Sequence, residues 1–180
     1  RVLGNANTST IRSMGSVTDL LIEQHRIDEA DRLANEALQL RRAPGMPVPD
    51  LLASEMQVAR IRVLQGRASE AIALLVPRES VARAEYIGDG SRELASFLTT
   101  LGEARAATKE FGAAEKNLQE AEKILASAEA SDYRHADLAK AFASLYRGWN
   151  AAEPSAARAA SAASWDARIA LGKGSASSPK

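Results

Sequence analysis

The sequence predicts an all-α protein, an α-solenoid of antiparallel helix pairs, and three observations predict it. Alanine supplies 37 of 180 residues; it is the strongest helix former and small enough to let helices approach closely. Aromatic residues make up only 4% of the chain, and the β-branched and aromatic clusters that mark strands are missing. A short block also recurs without gaps, as His25-Arg26-Ile27-Asp28-Glu29-Ala30, Gly66-Arg67-Ala68-Ser69-Glu70-Ala71 and Lys109-Glu110-Phe111-Gly112-Ala113-Ala114. The closing alanines lie 41 and then 43 residues apart. Each block follows one amphipathic stretch and opens another, as in a helix–turn–helix repeat.

The elements follow in order. In a first unit, at about 8–43, Met14, Val17 and Leu21 precede the turn and Ala30, Leu33, Ala37 and Leu40 follow it at helical spacing. In a second, at about 50–87, Asp50 after Pro49 predicts an N-cap and Gly66 a helix stop, with Val58, Ile61 and Leu64 before the turn and Ala71, Leu74 and Leu75 after it. Pro77 falls inside that second helix, where it removes a backbone donor and clashes with the preceding turn. It predicts a break, with Arg78 to Tyr86 as a separate helical piece. Gly88-Asp89-Gly90-Ser91 separates a third unit, at about 91–130, with Leu94, Leu98, Leu101 and Gly102 before the turn and Ala114, Leu118, Ala121, Leu125 and Ala128 after it. After Ser131-Asp132, a fourth unit at about 133–171 begins with Leu138, Phe142, Leu145 and Tyr146 and then holds 10 Ala between Ala151 and Leu171. The domain therefore spans 1–171. The small, polar, aperiodic stretch 172–180 predicts a disordered tail.

Composition excludes several functions. Lys plus Arg and Asp plus Glu both total 23, a balance that argues against a nucleic-acid-binding domain with its basic face. Zero Cys removes disulfide scaffolds, thiol catalysis and Cys-ligated zinc. No apolar run approaches the roughly 18 residues of a membrane helix. The two histidines are His25, read as a solvated turn residue, and His135, beside Asp132 and Asp137. That trio is read as a helix start, where acidic residues meet the macrodipole, rather than a metal site. Gly88-Asp89-Gly90 lacks the ligand ladder of a calcium loop. No phosphate-cradling glycine motif or kinase catalytic signature is present. The expectation is a binding module with no catalysis, metal or cofactor. Arg1-Val2-Leu3-Gly4 shows neither initiator Met nor signal-peptide pattern, which reads as a fragment of a longer, cytoplasmic protein.

The blocks, with Arg1-Val2-Leu3-Gly4, Thr10, Arg12 and Ser13, and with Glu29-Ala30, Leu33 and Glu36-Ala37-Leu38, resemble the tetratricopeptide repeat in its long, kinesin-light-chain-like form. The resemblance runs from residue 1 to about 130. Leu145-Tyr146-Arg147-Gly148-Trp149, Ala152-Glu153-Pro154 and Trp165 resemble the last repeat of bacterial serine/threonine kinases that carry such arrays. Glu55 and Arg78 depart from the pattern, standing where the family places apolar or small residues. The resemblance implies three units and a degenerate C-terminal capping unit, with Trp149 and Trp165 covering its end. First helices of the pairs then line a concave groove, to which the register assigns Arg12, Asp19, Gln57, Arg60, Glu103, Lys140 and Arg147. Arg60 and Arg147 could hold a carboxylate or phosphate through forked hydrogen bonds. Gly15, Asp19, Met56 and Arg60 stand where some relatives place the Lys and Asn that clamp a peptide carboxylate, so that clamp is missing. The implied function is protein–protein interaction with a peptide or protein segment in the groove, in a larger bacterial signalling protein. The alternatives are self-association into homo-oligomers and sensing of a small molecule.

Overall fold

The computed structural model describes residues 8–129 and 132–176. Among the described residues there are nine α-helices, two 3₁₀ turns and no strand, so the all-α class holds. Packing divides the chain between Glu85 and Tyr86 into two compact units.

The first unit holds α1 (Thr8–Glu23), α2 (Ile27–Arg41), α3 (Val48–Leu64), α4 (Ala68–Leu75) and α5 (Glu79–Glu85). α1 packs on α2, α2 on α3, and α3 on both α4 and α5. Leu21 and Ile22 of α1, Ala30, Ala34 and Leu38 of α2 and Val58 and Ile61 of α3 form one core cluster. Each large side chain fully buried in this way contributes about 2 kcal/mol. α4 stops at Leu75, Val76–Arg78 tightens into a 3₁₀ turn around Pro77, and α5 resumes at Glu79, the break that Pro77 predicts. Asp50 is not the N-cap. α3 begins at Val48, capped at Pro47 in extended backbone, with Pro49 in its first turn, where a missing N–H removes no helical bond. Asp50 is thereby drawn inside the first turn and lies 3.1 Å from Arg41 Nη1.

The second unit holds α6 (Ser91–Ala107), α7 (Phe111–Leu125), α8 (Tyr133–Ala152) and α9 (Ala156–Ala176), preceded by a 3₁₀ turn at Gly88–Gly90. Leu98, Leu118, Leu125, Leu138, Phe142 and Leu145 form its core. A Cβ on Gly102 would come within 2.7 Å of the fully buried Leu118, so only glycine allows α6 and α7 to approach this closely. α9 continues through 172–176, where the sequence suggested the start of a tail; residues 177–180 lie outside the described residues.

The recurring block closes three helices in the same way. His25, Gly66 and Lys109 occupy matching positions and adopt φ of 58°, 74° and 66°. The next residue's N–H reaches back to the carbonyl five residues earlier: Arg26 to Leu21 at 2.9 Å, Arg67 to Arg62 at 2.7 Å, Glu110 to Arg105 at 2.8 Å. This is the Schellman closure, which needs a left-handed residue after the helix. Glycine adopts it without strain; histidine and lysine do not. The α8–α9 junction differs: Ser155 N–H donates to Asn150 Oδ1 at 2.8 Å, beside Pro154.

Candidate functional site

Four groove candidates lie in the first unit. Arg12 and Asp19 are exposed on α1, and Gln57 and Arg60 half-buried on α3. The structure joins two of them. Gln57 Nε2 donates to the Gly15 carbonyl at 2.9 Å and to Asp19 Oδ1 at 3.1 Å. An added Cβ on Gly15 would meet Gln57 Oε1 at 3.7 Å, an ordinary contact, so this bond does not depend on the glycine. One amide thus binds α1 to α3 and satisfies the carboxylate, while the Arg12 and Arg60 guanidinium groups form no ion pair among the described residues. The resulting face carries two available cations and one occupied anion.

The other three lie in the second unit. Glu103 on α6 is half-buried. Lys140 Nζ pairs with Asp137 at 2.8 Å one turn away on α8. Arg147 does not stand free to grip a ligand: its Nη1 pairs with Asp166 of α9 at 2.9 Å. The alanine-rich α9 hides this partner in sequence, because its periodicity is too weak to show which face Asp166 takes.

Sequence reasoning passed over the most connected polar residue of this unit, Arg134. Its Nε donates to Ser96 Oγ at 3.1 Å, its Nη2 to Glu93 at 2.5 Å, and its Nη1 to both Asp132 oxygens at 3.2 Å. Asp132 also caps α8 by accepting from the Arg134 N–H at 3.0 Å. Burial works to raise the Asp132 carboxyl pKa; the backbone and guanidinium donors of Arg134, with Arg92 nearby, outweigh it and hold the group below its ordinary value. The only advance signal was the helix-start pattern at Asp132. Of the His135 trio, Asp132 is thus held by Arg134 and Asp137 by Lys140. Among the described residues no three His, Asp or Glu side chains gather in a metal-holding group.

The indoles pack on the second unit's core. Trp165 stacks on Phe142 at 4.3 Å and Trp149 on Phe111 at 5.6 Å. Arg168 covers Trp165 at 4.1 Å and Arg158 covers Trp149 at 4.5 Å, a cation–π arrangement. Burial, and then the acceptor Glu115 at 2.6 Å, push the Tyr146 hydroxyl pKa upward, so it stays a neutral donor. A hollow of about 340 Å³ near the start of α6 is lined by polar and small residues, among them Asp89, Ser91, Arg92 and Glu129; it lacks the apolar, aromatic walls of a typical small-molecule site. No described helix is long and apolar enough to cross a membrane. No protein-family model matches the chain, and no curated protein matches it.

Proposed function

We propose that the chain is a non-catalytic protein–protein interaction module of the tetratricopeptide kind, binding an extended or helical peptide segment along the first helices of its pairs. The observation that carries this reading is the α1–α3 face. Gln57 fixes two successive first helices side by side, and Arg12 and Arg60 flank that junction with no ion-pair partner among the described residues. A backbone-rigid surface with two unneutralised guanidinium groups suits a peptide bearing a carboxylate side chain, which Arg can grip through two parallel bonds. The three matching helix closures support the repeat reading. A role in a larger, cytoplasmic bacterial signalling protein, beside a serine/threonine kinase domain, belongs to the same proposal and rests on the resemblance of Leu145 to Trp149 and of Trp165.

Selection from a displayed random-peptide library tests it, followed by fluorescence anisotropy of the enriched peptide. Enriched peptides should carry Asp or Glu, and Arg12→Glu with Arg60→Glu should weaken binding about tenfold or more, each lost charge-assisted bond being worth roughly 1.5–3 kcal/mol. Circular dichroism checks that helicity is unchanged. Failure to enrich any peptide, or equal binding by the double variant, contradicts the reading.

A further inference from the structure

The chain's own repeat shows that one face of α1 is built to be covered. With Ala30 aligned on Ala71, Ser13, Val17 and Leu20 of α1 match Ser54, Val58 and Ile61 of α3. On α3 those three are buried, and Val58 and Ile61 pack in one cluster with Ala34 and Leu38 of α2. On α1 the same positions are open: Ser13 is exposed, Val17 is 47% exposed and Leu20 51%. At about 100° per residue, Ser13, Ser16, Val17 and Leu20 share one face. The charged residues of α1, Arg12, Asp19 and Glu23, fall on a neighbouring strip. A solvated helix face ordinarily carries charge; this one carries none.

What fits there is visible in how α2 sits on α3. α2 presents Asp31, Ala34 and Leu38 along one stripe, and Asp31 pairs with Arg62 of α3 at 2.8 Å. α9 repeats that spacing with Ser164, Ala167 and Leu171, all exposed, Leu171 at 75%. Its described charged side chains are engaged elsewhere in the second unit: Arg158 with Glu153, Asp166 with Arg147, Arg168 with Glu122. In the places of Asp31 and Arg62 stand Ser164 and Leu21, the latter buried in the first unit's own core, so neither side presents a charge there and none would be buried unpaired.

We propose that copies of this chain associate head to tail, the Ala167–Leu171 face of α9 in one copy seating on the Val17–Leu20 face of α1 in the next as α2 seats on α3. Such a contact joins unlike surfaces, so it builds rings or open chains. It is independent of the peptide face, since Arg12 and Asp19 lie off the covered strip.

Sedimentation velocity from about 10 to about 500 μM tests this, a range that reaches association weaker than that of a standard ~1,600 Å² interface. The wild-type mean mass should rise to more than twice the 19.2 kDa of one chain, and salt near 1 M should not reduce it, because no ion pair is involved. Val17→Glu with Leu20→Glu, and separately Ala167→Glu with Leu171→Glu, should each be monomeric. Mixed one to one, the two variants should form dimers and nothing larger, since each keeps one intact end. Ser13→Glu and Ser164→Glu repeat the test without touching an apolar side chain, and circular dichroism verifies folding. A wild type that stays monomeric throughout, association that survives either end variant, or a mixture that gives no dimer would overturn the proposal.

Discussion

Glu55 and Arg78, the two positions at odds with the repeat pattern, are partners: Arg78 Nε donates to Glu55 Oε2 at 2.8 Å, with the Glu55 side chain only 7% exposed. The pair fastens the 3₁₀ turn at Pro77 to α3, so the second helix of this pair can break without leaving the unit. Two substitutions that look wrong singly are compatible together. Glu55→Ala strands the guanidinium and should destabilise by about 2 kcal/mol, below the 3–5 kcal/mol of a fully buried pair because Arg78 retains some solvent. Glu55→Leu with Arg78→Met should recover most of that loss. Urea unfolding of the single and double variants measures the coupling; additive effects would show that the pair holds nothing.

His25 and Lys109 stand in left-handed backbone where Gly66 stands in the equivalent turn. His25→Gly and Lys109→Gly should each raise stability by about 1 kcal/mol, and Gly66→Ala should lower it by a similar amount. No atom crowds Gly66 within 4 Å, so its loss would report backbone strain alone. Thermal melts followed by circular dichroism read all three.

Gly102→Ala drives a methyl to within 2.7 Å of the fully buried Leu118. Overpacking of this kind costs roughly 1–3 kcal/mol, and Gly102→Ala with Leu118→Val should regain part of it. Calorimetry that finds Gly102→Ala neutral would mean that α6 and α7 do not approach this closely.

Asp132 gives the second unit a pH dependence with a defined sign. Its folded pKa is held below the ordinary 3.8, so its contribution is present above that value and is lost as pH falls through the folded pKa. Asp132→Asn keeps a capping oxygen and loses the charge; it should be less stable than wild type at pH 7, and the difference should close only as Asp132 is protonated in the folded protein, at a pH below its lowered pKa. Asp132→Ala also removes the cap, worth about 1 kcal/mol. Urea midpoints measured across that range decide it.

The sequence was most readable where one helical period repeats. The leucine and alanine stripes of α6 and α7 and the shared block of His25, Gly66 and Lys109 announce both the pairs and their turns, because an amphipathic face has few ways to be buried. Pro77 announced its own break. Long-range partners were less readable. Glu55 and Arg78 stood out as misfits, but 23 residues and a turn separate them, and only the direction of the chain after Pro77 brings them together. Arg147 was assigned to a groove because its helix has a clear period, while its partner Asp166 sits in a helix of small residues with almost none. Arg134 carried no signal, since a lone arginine at a helix start is ordinary. Asp50 was misplaced because the two prolines before it shift the start of α3.

Amide-resolved NMR titration with a library-selected acidic peptide tests whether α1 and α3 form the peptide-binding face. Shifts should concentrate on α1 and α3 (Arg12, Gly15, Asp19, Arg60 and the Gln57 side-chain amide) and vanish in the Arg12→Glu, Arg60→Glu protein. Shifts confined to other helices, or the same shifts in both proteins, would contradict it.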